Sequence, residues 1–205
     1  MIIDAIVLAG GRATRLDGAS KAALSLGGRS LLEHSLAAVS AARAIVVVGD
    51  KAEISAAAPD AAITIVRESP AFAGPAAAIA TGIDALAEGA PADFTIVVGC
   101  DMPGVAGAID ALLAAVRVGT AGVVAVSTDG RAQPLVGVYS TRGLAELVAL
   151  HRNAGDLDNL SVRALLSGLD PSPVAVPAGT TDDVDTWADA TRLGLLIPPP
   201  HESKE

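Results

Sequence analysis

Two adjacent glycines followed at fixed offsets by two cations stand near the start of the chain, in Leu8-Ala9-Gly10-Gly11-Arg12-Ala13-Thr14-Arg15-Leu16-Asp17-Gly18-Ala19-Ser20-Lys21. Gly10 and Gly11 carry no Cβ, so backbone N–H groups can come close to an anion, and Arg15 and Lys21 add charge to the same loop. The chemistry this pattern predicts is capture of a nucleoside triphosphate. Its spacing sets aside the two commonest phosphate loops. A P-loop needs Ser or Thr after its Lys, and Ala22 follows Lys21; a dinucleotide loop needs G-x-G-x-x-G directly after its strand, and Gly10-Gly11-Arg12 breaks it.

Carboxylates recur at two further places. In Val97-Val98-Gly99-Cys100-Asp101-Met102-Pro103 an acid appears as an apolar strand ends and a proline stops its continuation. Asp101 is placed to hold Mg²⁺ against a triphosphate, since that ion takes one or two protein carboxylates and fills its other positions with phosphate oxygens and water. The same residue would also serve to cap a following helix. Late in the chain, Asp182-Asp183-Val184-Asp185-Thr186-Trp187-Ala188-Asp189 precedes a helical stretch, where acids are favourable at the helix dipole whatever else they do.

The pattern L-A-G-G-x-x-x-R-L-x-G-x-x-K, together with Cys100-Asp101-Met102-Pro103, resembles the nucleotidyltransferases of glycosyltransferase-A-like fold, most closely the molybdenum cofactor guanylyltransferase (MobA-like) family. The resemblance runs from Ile3 to about Leu193. It implies catalytic roles for Arg15, Lys21 and Asp101, and nucleotide contacts from Leu8, Ala9, Gly10, Gly11, Lys21, Glu68 and Asp101. Asp101 and Asp185, with Asp183 beside them, are the implied metal ligands. Glu68 lies in Arg67-Glu68-Ser69-Pro70, ahead of Phe72-Ala73-Gly74-Pro75, which is similar to a family loop whose acid recognises the nucleoside. Gly130-Arg131-Ala132-Gln133-Pro134-Leu135 is similar to a stretch bordering the acceptor side of the cleft, which points to Arg131 and Gln133. The family's guanylyltransferases read L-A-G-G where its cytidylyltransferases read L-A-A-G, so purine is favoured here. The chain departs from the family at Asp17, Ser20, Ala77, Ala78 and Trp187.

What the resemblance implies for function is transfer of GMP from GTP to the terminal phosphate of molybdopterin, with Mg²⁺ as cofactor and pyrophosphate released. A molybdoenzyme or a molybdenum insertion protein would receive the product. A phosphate monoester is anionic near neutral pH, so this chemistry needs no general base, and none suggests itself among His34, His151 and His201. Two alternatives stay open: a sibling using CTP or another triphosphate with a molybdopterin or sugar-phosphate acceptor, and a domain that binds GTP without turnover. An oxidoreductase is disfavoured by the missing dinucleotide loop.

The elements that must position these residues follow from composition. Hydrophobic residues make up 51% of the 205 and aromatics 2%, so Ala, Val, Leu and Ile must build the core. Continuous apolar runs at Ile2–Leu8, Ala44–Val48, Ile63–Val66 and Phe94–Val98 predict strands buried on both faces, with later strands at Gly122–Val126, Leu135–Tyr139 and Val174–Val176. Helices are expected at Ser30–Ala42, Ala76–Glu88, Ile109–Val116, Arg142–Leu150 and Val184–Leu193. This alternation predicts a single-domain α/β fold, a mostly parallel Rossmann-like sheet flanked by helices, over residues 1–196 with a disordered tail at 197–205. In such sheets ligands lie beyond the carboxyl ends of the strands, where the residues above fall. A net charge of −9 disfavours nonspecific nucleic-acid binding, and the lone Cys100 excludes an internal disulfide or a multi-cysteine metal site. No apolar run reaches membrane-spanning length, and a soluble cytoplasmic protein is expected.

Overall fold

In the computed structural model, which describes residues 1–10 and 20–195, the apolar runs become the strands of one twisted sheet. The first strand is β1 (Ile3–Leu8). A single 3₁₀ turn (Lys21–Ala23) leads into a hairpin of β2 (Ser25–Leu26) and β3 (Arg29–Ser30), then α1 (Leu31–Ala38). Next come β4 (Ile45–Val48), α2 (Lys51–Ala57), β5 (Thr64–Val66), α3 (Pro75–Ala87), β6 (Phe94–Gly99) and α4 (Ala106–Ala115). The chain continues through β7 (Gly122–Val126), β8 (Ala132–Ser140), α5 (Thr141–Ala154), α6 (Val162–Leu165), β9 (Ser172–Ala175) and α7 (Trp187–Arg192).

Seven strands form the sheet in the order β5-β4-β1-β6-β8-β7-β9, and only β8 runs against the rest. Because side chains alternate along a strand, each strand feeds two cores. Ala5 and Val7 of β1, with Phe94, Ile96 and Val98 of β6, pack under α1, α2 and α4 through Leu32, Ile54, Ile109 and Leu112. Ile6 and Leu8, with Val97, face the opposite way and meet α3, α5 and α6 through Ile79, Leu144 and Leu165. Asp4 is the polar exception in β1. It is 2% exposed and takes a two-pronged hydrogen bond from Arg43, at 3.0 Å and 2.6 Å.

Register sets where the site forms. Leu8 stands opposite Val48 on one side and Gly99 on the other, so β1, β4 and β6 end level and release their loops from one edge. The helix expected over Ser30–Ala42 starts as read, with Ser30 and Glu33 forming a capping box, but stops at Ala38. The chain must turn there so that the Arg43 N–H can reach the Ile3 carbonyl at 2.8 Å and begin the β4 pairing. The helix expected from Val184 begins only at Trp187. Among the described residues no helix is long and apolar enough to cross a membrane.

Candidate active site

Three segments meet at the carboxyl edge of the sheet. The first leaves β1 through Ala9 and Gly10. Leu8 is core, its carbonyl accepting from the Cys100 N–H at 3.0 Å, and the Ala9 N–H is bonded to the Val48 carbonyl at 2.9 Å. These two residues therefore anchor the loop to its neighbours on either side. Gly11 and Arg15 lie outside the described residues. Lys21 opens the 3₁₀ turn, held in place by the adjoining Ala22, which is buried in the core under α2.

The second segment follows β6. Asp101 lies two residues past the end of the strand, and its carboxylate folds back over the strand end. A Cβ built on Gly99 would lie 2.8 Å from Asp101 Oδ1, so glycine at 99 is what makes room for this rotamer. Asp101 does not cap the next helix, since α4 starts at Ala106 with Val105 at its N-terminus. The third segment is Asp182 to Asp185. The Val184 N–H donates to the Asp101 carbonyl at 3.0 Å, and the Val184 side chain is wholly buried against a small cluster with Leu24, Leu31 and Ala190. The cap of α7 is Thr186, paired with Asp189 in a capping box, so the acids before it are not spent on the helix end. Trp187 occupies the first helical position, which is where proline fits a helix best.

The result is that Lys21 Nζ bridges two carboxylates, Asp185 Oδ1 at 2.5 Å and Asp101 Oδ2 at 3.3 Å. Burial, the largest single influence, pulls the Lys21 pKa down, but the bonds and attraction from Asp185 and Asp101 together outweigh it and leave the ammonium above its ordinary value. Asp183 experiences the reverse pressure. Partial burial and then the negative charges of Asp185 and Asp101 push its carboxyl upward. Among the described residues no three His, Cys, Asp or Glu side chains stand together as a metal-ligand group. The hard-oxygen pair Asp101 and Asp185 nevertheless suits Mg²⁺, which rarely takes more than two protein carboxylates at a phosphate site.

Glu68 is buried beside the same edge. Its Oε1 lies 4.0 Å from where a Cβ on Gly10 would stand and accepts the Phe72 N–H at 3.0 Å. One carboxylate oxygen thus orders the loop that carries it. Arg131 and Gln133 line a groove of about 220 Å³ with Asp183 and Arg192, fed by the segments that follow β7 and β9. Gln133 donates to Ser127 Oγ at 3.2 Å, and Arg131, 81% exposed, pairs with Asp129 at 3.2 Å. The groove adjoins the Lys21 bridge through Asp183.

Cys100 is buried, and its thiol is pushed up to about 12 by burial first and by Asp101 second, so it is no nucleophile. Sequence reasoning missed Val184 and Arg192. The first anchors the acidic segment, and the second braces it by donating to Asp182 Oδ2 at 2.8 Å. A lone apolar residue between acids, and a cation in the last turn of the helix that follows, were the available signals.

The family model for the MobA-like NTP transferase domain matches residues 5–174, most of the chain. The chain belongs to this family. Within it, the chain is 30% identical over 135 residues to the molybdenum cofactor guanylyltransferase of Shewanella sp. (strain MR-4), a stretch covering 65% of this chain and 66% of that protein. The match therefore spans just under two thirds of the relative's length. Among solved structures, Rv0371c from Mycobacterium tuberculosis H37Rv superposes with a TM-score of 0.73 at 25% identity, covering 94% of this chain and 97% of that one. Molybdopterin-guanine dinucleotide biosynthesis protein A from Archaeoglobus fulgidus gives 0.69 at 18% identity, over 93% and 96%, and so shares the fold. The resemblance in the sequence is thus matched at the level of family and of fold.

Proposed function

We propose that this MobA-like chain is a guanylyltransferase that joins GMP, taken from GTP, to the terminal phosphate of molybdopterin and releases pyrophosphate. The observation that carries the reading is the Lys21 bridge between Asp101 and Asp185 at the edge where the glycine loop leaves β1. A cation and a carboxylate pair at the end of a strand that leads into a glycine-bearing segment suit in-line displacement at an α-phosphorus. An acceptor phosphate oxygen forms the new P–O bond as the bond to the β-phosphate oxygen breaks. Both groups are anionic, so the chain's work is positioning and charge neutralisation rather than proton transfer.

Lys21, joined by Arg15, neutralises the pyrophosphate as it departs. Gly10 and Gly11 offer backbone N–H groups to the phosphates, and Glu68 lies at the nucleoside end, with its second oxygen available to a guanine N–H. Asp101 and Asp185, with Asp183 alongside, would hold Mg²⁺, which would supply charge neutralisation at the phosphates. Arg131 and Gln133 face the acceptor from the groove beside Asp183. The named function of the Shewanella relative supports the choice of guanine and of molybdopterin. On this reading the product passes to a molybdoenzyme or a molybdenum insertion protein in the cytoplasm.

Thermal melting against GTP, CTP, UTP, ATP and NAD, with and without Mg²⁺, tests the nucleotide. A ligand at 100 times its Kd stabilises by about 2.7 kcal/mol. The expected result is a shift for GTP that grows with Mg²⁺. A shift for CTP or UTP in its place overturns the base, and no shift with any nucleotide overturns the reading.

A further inference from the structure

Two carboxylates brought from distant parts of the chain repel each other, and here a single ammonium holds them together. Lys21 Nζ lies 2.5 Å from Asp185 Oδ1 and 3.3 Å from Asp101 Oδ2. That nitrogen occupies the space a divalent cation shared by the same two carboxylates would need. Mg²⁺ sits at about 2.0–2.1 Å from its oxygens, so a metal between this pair would be in contact with the ammonium and unscreened from its charge.

The backbones that carry the two carboxylates are tied together. Asp101 is fixed at the end of β6, and the segment carrying Asp185 is tied to it by the Val184 N–H and by the buried Val184 side chain. Of the three side chains, that of Lys21 has the longest reach. It has a flexible four-carbon stem and stands at the first position of a three-residue turn.

We propose that Lys21 is the resident counter-ion of the Asp101–Asp185 pair, and that a divalent cation enters the pair only when the ammonium is drawn off onto the phosphates of a ligand. This rests on the reading of the edge as a polyphosphate site. With Lys21 in place the pair keeps one net negative charge. With a divalent cation there instead, the pair is neutral, and Lys21 is released to meet the phosphates. Metal and triphosphate therefore enter together, and the protein without nucleotide holds metal weakly.

The test is a titration of the nucleotide-free, full-length protein with Mn²⁺, followed by the electron paramagnetic resonance signal of the free ion. Lys21→Met is expected to bind one Mn²⁺ at least about tenfold more tightly than the wild type, the ratio that corresponds to about 1.4 kcal/mol. Adding Asp101→Asn is expected to remove the gain. Should Lys21→Met fail to fold, Lys21→Gln, which keeps a neutral donor between the two carboxylates, makes the same comparison. Mn²⁺ bound no more tightly by these variants than by the wild type overturns the proposal. Since no nucleotide is present, the result is independent of the melting panel. A GTP shift in the wild type beside unchanged Mn²⁺ affinities removes the counter-ion role alone, whereas a Mn²⁺ gain without any nucleotide shift supports the counter-ion role and removes the functional reading.

Discussion

Replacing Gly99 by alanine drives a methyl group into the Asp101 carboxylate. The new Cβ would stand 2.8 Å from Asp101 Oδ1, where ordinary contact begins at 3.4 Å, so the carboxylate must retreat by about 0.6 Å. The backbone at 99 lies outside the left-handed region, and alanine there reduces the entropy of the unfolded chain. Folding stability is therefore expected to change by less than about 1 kcal/mol. The site has no such slack, because Asp101 Oδ2 is shared with Lys21 at 3.3 Å and the Asp101 carbonyl is tied to Val184. A displacement of this size is expected to lower nucleotidyl transfer between about 10- and 100-fold, by analogy with the 10²-fold cost of an ångström of misplacement. Urea denaturation and steady-state transfer, run on one preparation, check both halves. Transfer within twofold of the wild type would refute the reasoning, and so would a loss of more than about 2 kcal/mol in stability, since the methyl would then have been absorbed by the sheet rather than by the carboxylate.

Three further outcomes are expected. Arg43→Ala leaves the Asp4 carboxylate buried at 2% exposure without its partner, and should cost about 2–3 kcal/mol in urea denaturation; the figure lies below the 3–5 kcal/mol of a fully buried pair because Arg43 is 37% exposed. A cost under about 1 kcal/mol would contradict the pairing of a buried Asp4 with Arg43. Ser30→Ala removes both the α1 cap and a buried bond to the Ala57 carbonyl at 2.7 Å, so a loss of about 1–2 kcal/mol is expected, and an unchanged melting temperature would contradict it. Cys100, with its thiol near 12, should resist alkylation at pH 8 in the folded protein and react once urea unfolds it; rapid labelling of the native chain would contradict its burial.

The central strands were legible because they are buried on both faces, which leaves continuous runs such as Ile-Val-Val-Val in β4 that no surface segment would carry. Elements with little apolar content were not. The helix α2 buries only Ile54 and Ala57, and its sequence signal is the Asp50 cap rather than periodicity. The β2–β3 hairpin is held by Gly27 and Gly28, both at positive φ, the two-residue turn that joins strands too short to show alternation. At the site, Lys21, Asp101 and Asp185 were readable by type and place, and the structure brings all three within hydrogen-bonding distance. What the sequence left open was whether the acids at 101 and 185 served helix ends, because a cap and a ligand use the same residues. Val105 and Thr186 take the cap positions, a matter of where helices begin that depends on tertiary contacts such as Val184 with Leu24 and Leu31.

The measurement that bears most directly on the function is transfer itself. The protein is incubated with GTP labelled at the α-phosphate, Mg²⁺ and molybdopterin, and the label is followed into a pterin dinucleotide alongside pyrophosphate release. The expected result is label in the dinucleotide, one pyrophosphate for each, and at least about a 10²-fold loss in Asp101→Asn and Lys21→Ala with folding intact. Label that stays in GTP while the protein is folded and melts higher with Mg²⁺ and GTP would contradict the account, leaving a MobA-like domain that binds its nucleotide without transferring it.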